Sequence, residues 1–254
     1  PNPKLLSSPN NILGIEYEKA ILNLKISLQT SPMKRIGKGY HDTDSTHEYS
    51  SASAIRSHIF STNDLPATGI PPQAFFILEE ALKVCGPVND ELFSNLFEYE
   101  LLQLNPSVLM NYQDCSKELA HRIMSHKEQY QSFSQFLSLI KTKGYTQTRI
   151  QRLFMQILLK ITSQSQERLS LCHYAPYARV LGFCSQSEPL LTELTKRSSI
   201  PILTSVNQAK SKLENLSYEM FQEDLYASDL YRLVQKQHNH VTFTNDYKQP
   251  LIIL

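Results

Sequence analysis

The chain has 254 residues, 41% of them hydrophobic and 19% charged, with a formal net charge of +1. That apolar fraction suffices for a sizeable core, and so even a charge balance excludes a disordered, self-repelling polyelectrolyte. Seven Gly and 13 Pro exclude collagen-like and Gly-rich chains, and a Leu-rich, Gly-poor sequence leans toward helix.

The pattern predicts, in chain order, a helix over 12–24 capped by Asn10-Asn11, then an extended segment over 26–36 with Pro32 marking an edge position. Gly37-Lys38-Gly39 reads as a loop, and a Ser-rich start opens a helix over 50–60. Residues 61–72 gather Pro66, Gly69, Pro71 and Pro72 and read as a linker, which divides the chain into domains 1–65 and 66–254. Helices are then predicted over 73–84, 90–104, 116–126, 131–141 and 147–162. The last of these is capped by Thr146. It buries Ile150, Leu153, Phe154, Ile157, Leu158 and Ile161, and sets Arg149, Arg152, Gln156 and Lys160 on its wet side. The final third changes character. Short β-like runs at 178–183 and 200–206 are followed by a helix from Asn207, a helix over 217–236, and terminal strands at 241–244 and 251–254.

Cys85, Cys115, Cys172 and Cys184 form no Cys-x-x-Cys pair and fit neither a zinc site nor a disulfide framework, so reduced thiols and a cytoplasmic protein are expected. No apolar run approaches the ~18 residues of a membrane span, and no membrane partner is expected. The opening Pro1-Asn2-Pro3-Lys4 has no Met and no signal peptide, and reads as the interior of a longer or processed protein.

Charge is uneven. Between 57 and 114 the acids Asp64, Glu79, Glu80, Asp90, Glu91, Glu98, Glu100 and Asp114 face only Lys83, whereas 115–179 is strongly basic. A basic stretch of this kind is either a polyanion surface or a set of solvated faces folded beside the acidic stretch. Common catalytic signatures are absent: no Gly-x-Ser-x-Gly, no His-Glu-x-x-His and no Gly-rich phosphate loop. His238 and His240 have no third ligand in view and read as surface residues. Two segments stand out. Ser50-Ser51-Ala52-Ser53-Ala54-Ile55-Arg56 offers helix-start amides, small hydroxyls and an Arg one turn in, which suits phosphate; an ordinary Ser cap with an exposed Arg would look the same. Tyr145-Thr146-Gln147-Thr148-Arg149-Ile150-Gln151-Arg152, preceded by Lys141 and Lys143, suits RNA phosphates, with Tyr145 placed to stack on a base; a solvated amphipathic helix is the alternative.

Several ordered motifs resemble the bacterial tRNA(Met) cytidine acetate ligase family, within the nucleotidyltransferase-like superfamily. They are Ser7-Ser8-Pro9-Asn10-Asn11-Ile12, Arg35-Ile36-Gly37-Lys38-Gly39-Tyr40-His41-Asp42, Ser51-Ala52-Ser53-Ala54-Ile55-Arg56, Thr148-Arg149-Ile150-Gln151-Arg152 and Arg179-Val180-Leu181-Gly182-Phe183. The resemblance implies a mainly α fold, in which a remnant of an α/β nucleotide-binding domain precedes a helical C-terminal domain with a few short strands. It implies ATP, acetate and elongator tRNA(Met) as substrates, with acetyl-adenylate as intermediate and N4 of the wobble cytidine as acceptor. By position, Asn10, Arg35, Ser51, Ser53 and Arg56 match its ATP-contacting residues. Lys143, Arg149 and Arg152 are assigned to tRNA on charge and helix face, and Mg²⁺ is the default companion of phosphate oxygens. Position 53 is Ser where the family has Thr, and the family's His-x-Gly-His motif is not in these residues. The expectation is therefore a fragment that does not adenylate acetate alone. Two other readings stay open: another adenylyltransferase of the superfamily, or a non-catalytic RNA-binding module.

Overall fold

The computed structural model describes Leu6 and residues 9–33, 50–240 and 244–254. The chain forms two compact units, Pro1–Glu79 and Glu80–Leu254.

In the first unit, α1 (Pro9–Leu24) starts with Pro9, whose fixed φ and missing N–H suit a first helical turn. It stops at Lys25, held at φ 51. Its helical period is as expected, but none of its residues is buried: Ile12, Leu13, Ile15 and Tyr17 are exposed. Residues 26–33 carry no strand, so the expected edge strand is not seen there. Thr30 Oγ1 instead donates to Glu18 Oε1 at 2.5 Å, tying this segment back to α1. The rest of that predicted segment and the Gly37–Gly39 loop lie outside the described residues. α2 (Ala52–Thr62) ends on Asn63 in the left-handed conformation and buries Ala54 and Ile59. The expected linker is anchored rather than loose, because Leu65 and Pro66 are buried and the Ser50 amide donates to Gly69 O. The regular structure among the described residues of this unit is helical, without a strand. The division between the units falls within α3 (Pro72–Cys85).

The second unit opens with a 3₁₀ turn (Asp90–Phe93) that leads into α4 (Ser94–Gln103), so the predicted helix over 90–104 starts tighter than expected. Then come α5 (Pro106–Leu109), α6 (Lys117–Ser125), α7 (Phe133–Ile140), α8 (Gln147–Leu159) and α9 (Ser163–Leu171). Serine caps fix two of these starts: Ser116 accepts from the Leu119 amide and Ser132 from the Gln135 amide. The core is aromatic at its centre. Phe97 and Phe154 lie 4.3 Å apart by ring centroids, and Phe133 and Phe136 complete the cluster. Ile123, Ile140, Ile150, Leu153 and Ile157 close around it.

The C-terminal part contains α10 (Glu188–Arg197), α11 (Ala209–Lys212) and the long α12 (Asn215–Asn239). Its β1 (Ala178–Arg179) pairs in parallel with β3 (Ile202–Leu203), and β2 (Gly182–Phe183) with β4 (Ile252–Ile253). The run 178–183 is thus one extended segment with a different partner at each end. A Cβ on Gly182 would lie 2.7 Å from Ile252 O, so only glycine admits β4 here. Of the expected strand over 241–244, residues 241–243 lie outside the described residues. Asp246, 6% exposed, fastens this end of the chain: Arg179 Nη1 holds one carboxylate oxygen at 2.7 Å and Arg232 holds the other.

Candidate functional site

The start of α2 brings three of the expected nucleotide-contacting residues into one turn. Ser51 sits in extended conformation, and its Oγ accepts from the Ala54 amide at 3.0 Å. That hydroxyl therefore organises the helix start. Ser53 and Arg56 follow, with Arg56 Nη2 donating to Ser53 Oγ at 3.5 Å. The burial of Ala54 and Ile59 on the other side of α2 turns this pair outward. Just ahead, the buried Ser50 hydroxyl has no hydrogen-bond partner among the described residues.

Asn10 belongs to a different place in the same unit. It lies in the first turn of α1 and lines a groove of about 820 Å³ between α1 and residues 28–33. Leu13, Ile15, Tyr17, Ile21, Leu28 and Met33 make that groove mostly apolar. Ser51, Ser53 and Arg56 do not line it. Arg35 lies outside the described residues. Among the described residues no three His, Cys, Asp or Glu side chains come together as a metal site, and His238 and His240 are exposed.

The predicted RNA face of α8 is organised by a residue that the sequence reading left in the acidic stretch. Thr146 caps α8, accepting from the Arg149 amide. Arg152 then grips Asp114 with both arms of its fork, Nε to Oδ2 at 2.6 Å and Nη2 to Oδ1 at 3.0 Å. Arg149 Nε donates to the Asp114 carbonyl at 3.0 Å. The hydrogen bond from Arg152 holds the Asp114 carboxyl below its ordinary range against the opposing effect of burial, and the same contact pushes Arg152 up. One expectation for this face is corrected. Gln156 is buried rather than wet, because Asp114 Oδ2 draws its Nε2 inward to 3.3 Å. Tyr145 is partly buried: Arg149 stands 5.3 Å from its ring centroid, and its hydroxyl lies 2.8 Å from Ser116 Oγ. Lys160 adopts the left-handed cap conformation and pairs with Glu100. Lys143 is exposed on the approach to α8. Burial pushes the thiol of Cys115, next to Asp114, up to about 11, so it stays protonated.

Asp114 had no local signal to mark it. It lies far along the chain from α8, and only the fold shows which of the acids meets the arginines.

A model of the family described as HIGH Nucleotidyl Transferase matches residues 1–246. A tRNA(Met) cytidine acetate ligase of Acetivibrio thermocellus is 33% identical, over 99% of this chain and 62% of its own length. One from a Thermoanaerobacter species is 35% identical, over 99% of this chain and 61% of its own length. The fold is similar to that of apo Thermotoga maritima TmcAL in crystal form I, with TM-score 0.88, 24% identity, and coverage of 98% of this chain and 61% of that one. TmcAL from the same organism bound with alpha-thio ATP gives a TM-score of 0.86 at 23% identity, over 98% of this chain and 60% of that one. The chain thus spans about three fifths of the length of the curated relatives it matches. A match that runs almost end to end, over helices whose caps and core follow from these residues, shows that this chain belongs to the HIGH nucleotidyl transferase family.

Proposed function

We propose that this chain is the larger part of an ATP-dependent tRNA acetate ligase. In the first step an acetate oxygen attacks the α-phosphorus of ATP and pyrophosphate leaves, giving acetyl-adenylate. In the second, N4 of the wobble cytidine of elongator tRNA(Met) attacks the acetyl carbonyl. AMP leaves and the amine loses a proton. The chemical logic is the exchange of a poor leaving group on acetate for AMP, at a site whose donors meet the charge building on the phosphates.

The observation that carries this reading is similarity over 99% of the chain to relatives named for that reaction. The α2 start supports it. Ser53 and Arg56 are set side by side on a turn that Ser51 organises, an arrangement suited to phosphate oxygens. Asn10 and Arg35 complete the nucleotide contacts in this proposal, and the side of the chain that carries Lys143, with Arg149 and Arg152 bound to Asp114 behind it, faces the tRNA. Mg²⁺ would enter on the phosphates themselves, since no protein-built cage stands among the described residues. Comparing tRNA from cells with and without the gene tests the reading by mass spectrometry. N4-acetylcytidine in elongator tRNA(Met) should vanish with the gene; its persistence would favour a different adenylyltransferase.

The absence of His-x-Gly-His from the 254 residues favours a second reading for the chain by itself, an RNA-binding module without catalysis. The chain alone should show no acetate-dependent ATP–pyrophosphate exchange, and measurable exchange would exclude that reading.

A further inference from the structure

Arg149, Arg152 and Lys160 are the basic residues that helical periodicity brings forward, but acids or carbonyls already hold them. Other basic residues nearby serve as internal fasteners. Arg122 donates to the carbonyls of Leu139 and Ile140 at 2.7 and 2.8 Å, and Lys127 donates to Leu102 O at 3.1 Å. What remains uncommitted is Lys117 and His121 on α6, with Lys141 and Lys143 on the connection between α7 and α8. All four are exposed, and none makes an ion pair among the described residues.

The fold puts these four on one edge. Arg122 pins the start of the 141–146 connection to α6, and the Ser116–Tyr145 hydroxyl contact pins its end. The connection therefore runs along α6 between residues 122 and 116, about 9 Å of helix axis. Lys141 and Lys143 ride on it beside the helix that carries Lys117 and His121. Glu118 is the only acid on this stretch of α6; its own backbone N–H and the Ser116 hydroxyl hold its carboxyl below the usual range, Lys117 and His121 add to that, and it offsets one of the positive charges. Arg152 and Asp114 neutralise one another next to it, so the uncompensated charge of this region is positive.

We infer that the α6 edge, with Lys117, His121, Lys141 and Lys143, is where this chain grips the RNA backbone, and that the Arg149–Arg152–Asp114 cluster holds that edge in shape. The inference rests on the tRNA reading proposed above and says where on this chain the phosphates lie. Flexible exposed lysines give sequence-independent phosphate contacts, while base-specific contacts are left to other surfaces.

The test is binding of an elongator tRNA(Met) transcript by the full chain across a salt series. The variant Lys117→Ala/Lys141→Ala/Lys143→Ala is compared with Lys210→Ala/Lys236→Ala/Lys248→Ala, which removes the same charge from exposed lysines outside the edge. The edge variant is expected to bind about tenfold more weakly at physiological salt, with the log–log salt slope smaller by about 2, while the control variant stays within about twofold of wild type. Equal weakening of both variants would reduce the effect to net charge and overturn the inference. Wild-type binding that the edge variant leaves unchanged would overturn the inference while leaving the tRNA reading intact. A wild-type chain that does not bind tRNA at low salt would overturn both. Thermal melts of the variants exclude unfolding as the cause.

Discussion

Glu91 joins the start of α4 to the start of α7 through one carboxylate. Ser94 Oγ donates to it at 2.9 Å from the start of α4, and the Ser134 amide and hydroxyl donate from the start of α7, the amide at 3.0 Å. Burial alone would raise its pKa. The donors outweigh burial and bring it down to about 2 from an ordinary 4.5. A carboxyl whose pKa is lower folded than unfolded contributes stability that is fully present above the unfolded value and is lost as pH falls toward the folded one. Glu91→Gln is therefore expected to destabilise the chain at pH 7 by about 1 kcal/mol, a partly exposed site keeping the effect small. The gap to wild type should close between pH 4.5 and about 2, followed by melting temperature against pH. A gap of constant size across that range would mean that the serines recognise shape rather than charge. Neither Glu91 nor Asp114 could be picked out from the sequence, because a carboxylate's importance depends on donors that only the fold delivers.

At the scale of elements, whatever a helix needs locally was legible, and whatever it needs from elsewhere was not. α8 is the clearest case. Its Thr146 cap, its buried stripe from Ile150 to Leu158 and its polar flank follow from spacing alone, yet the inward turn of Gln156 depends on Asp114. Thr146→Ala should cost about 1 kcal/mol in denaturant unfolding, with Thr146→Ser recovering most of it; equal stability of all three would show that the cap is dispensable. α5, α9 and α10 escaped the sequence reading for identifiable reasons. α5 is four residues long, α9 reads Ser-Gln-Ser-Gln and lacks a stripe, and α10 buries none of its residues. At α1 the period gave the helix, but spacing says nothing of what covers it, and among the described residues its apolar side chains are left exposed.

For the molecule as a whole, the acidic and basic stretches were the main puzzle, and the second unit resolves part of it. Asp90 meets Gln151, Glu100 meets Lys160 and Asp114 meets Arg152, so acids before residue 115 sit against the α8 residues that follow it. Two of these contacts pair an acid with a base, so part of the apparent polarity along the sequence is cancelled in space, while the α6 edge keeps exposed basic side chains without an ion pair among the described residues. Of the residues proposed to contact the nucleotide, Ser51, Ser53 and Arg56 come together at the α2 start because they are neighbours in sequence. Asn10 and Ser51–Arg56 occupy separate positions, which a string of motifs does not reveal.

The segment from Ala178 to Phe183 has its partners at Ile202–Leu203 and Ile252–Ile253, both further along the chain and both parallel. Neither pairing is reachable by a tight turn, and each requires intervening chain to be ordered first. Closing such loops costs entropy before any contact repays it, whereas α4 to α8 gather their core from successive helices. The two short parallel pairs are accordingly expected to form late in the folding of the second unit, and Asp246, bound by Arg179 from one segment and Arg232 from another, is the clasp beside them.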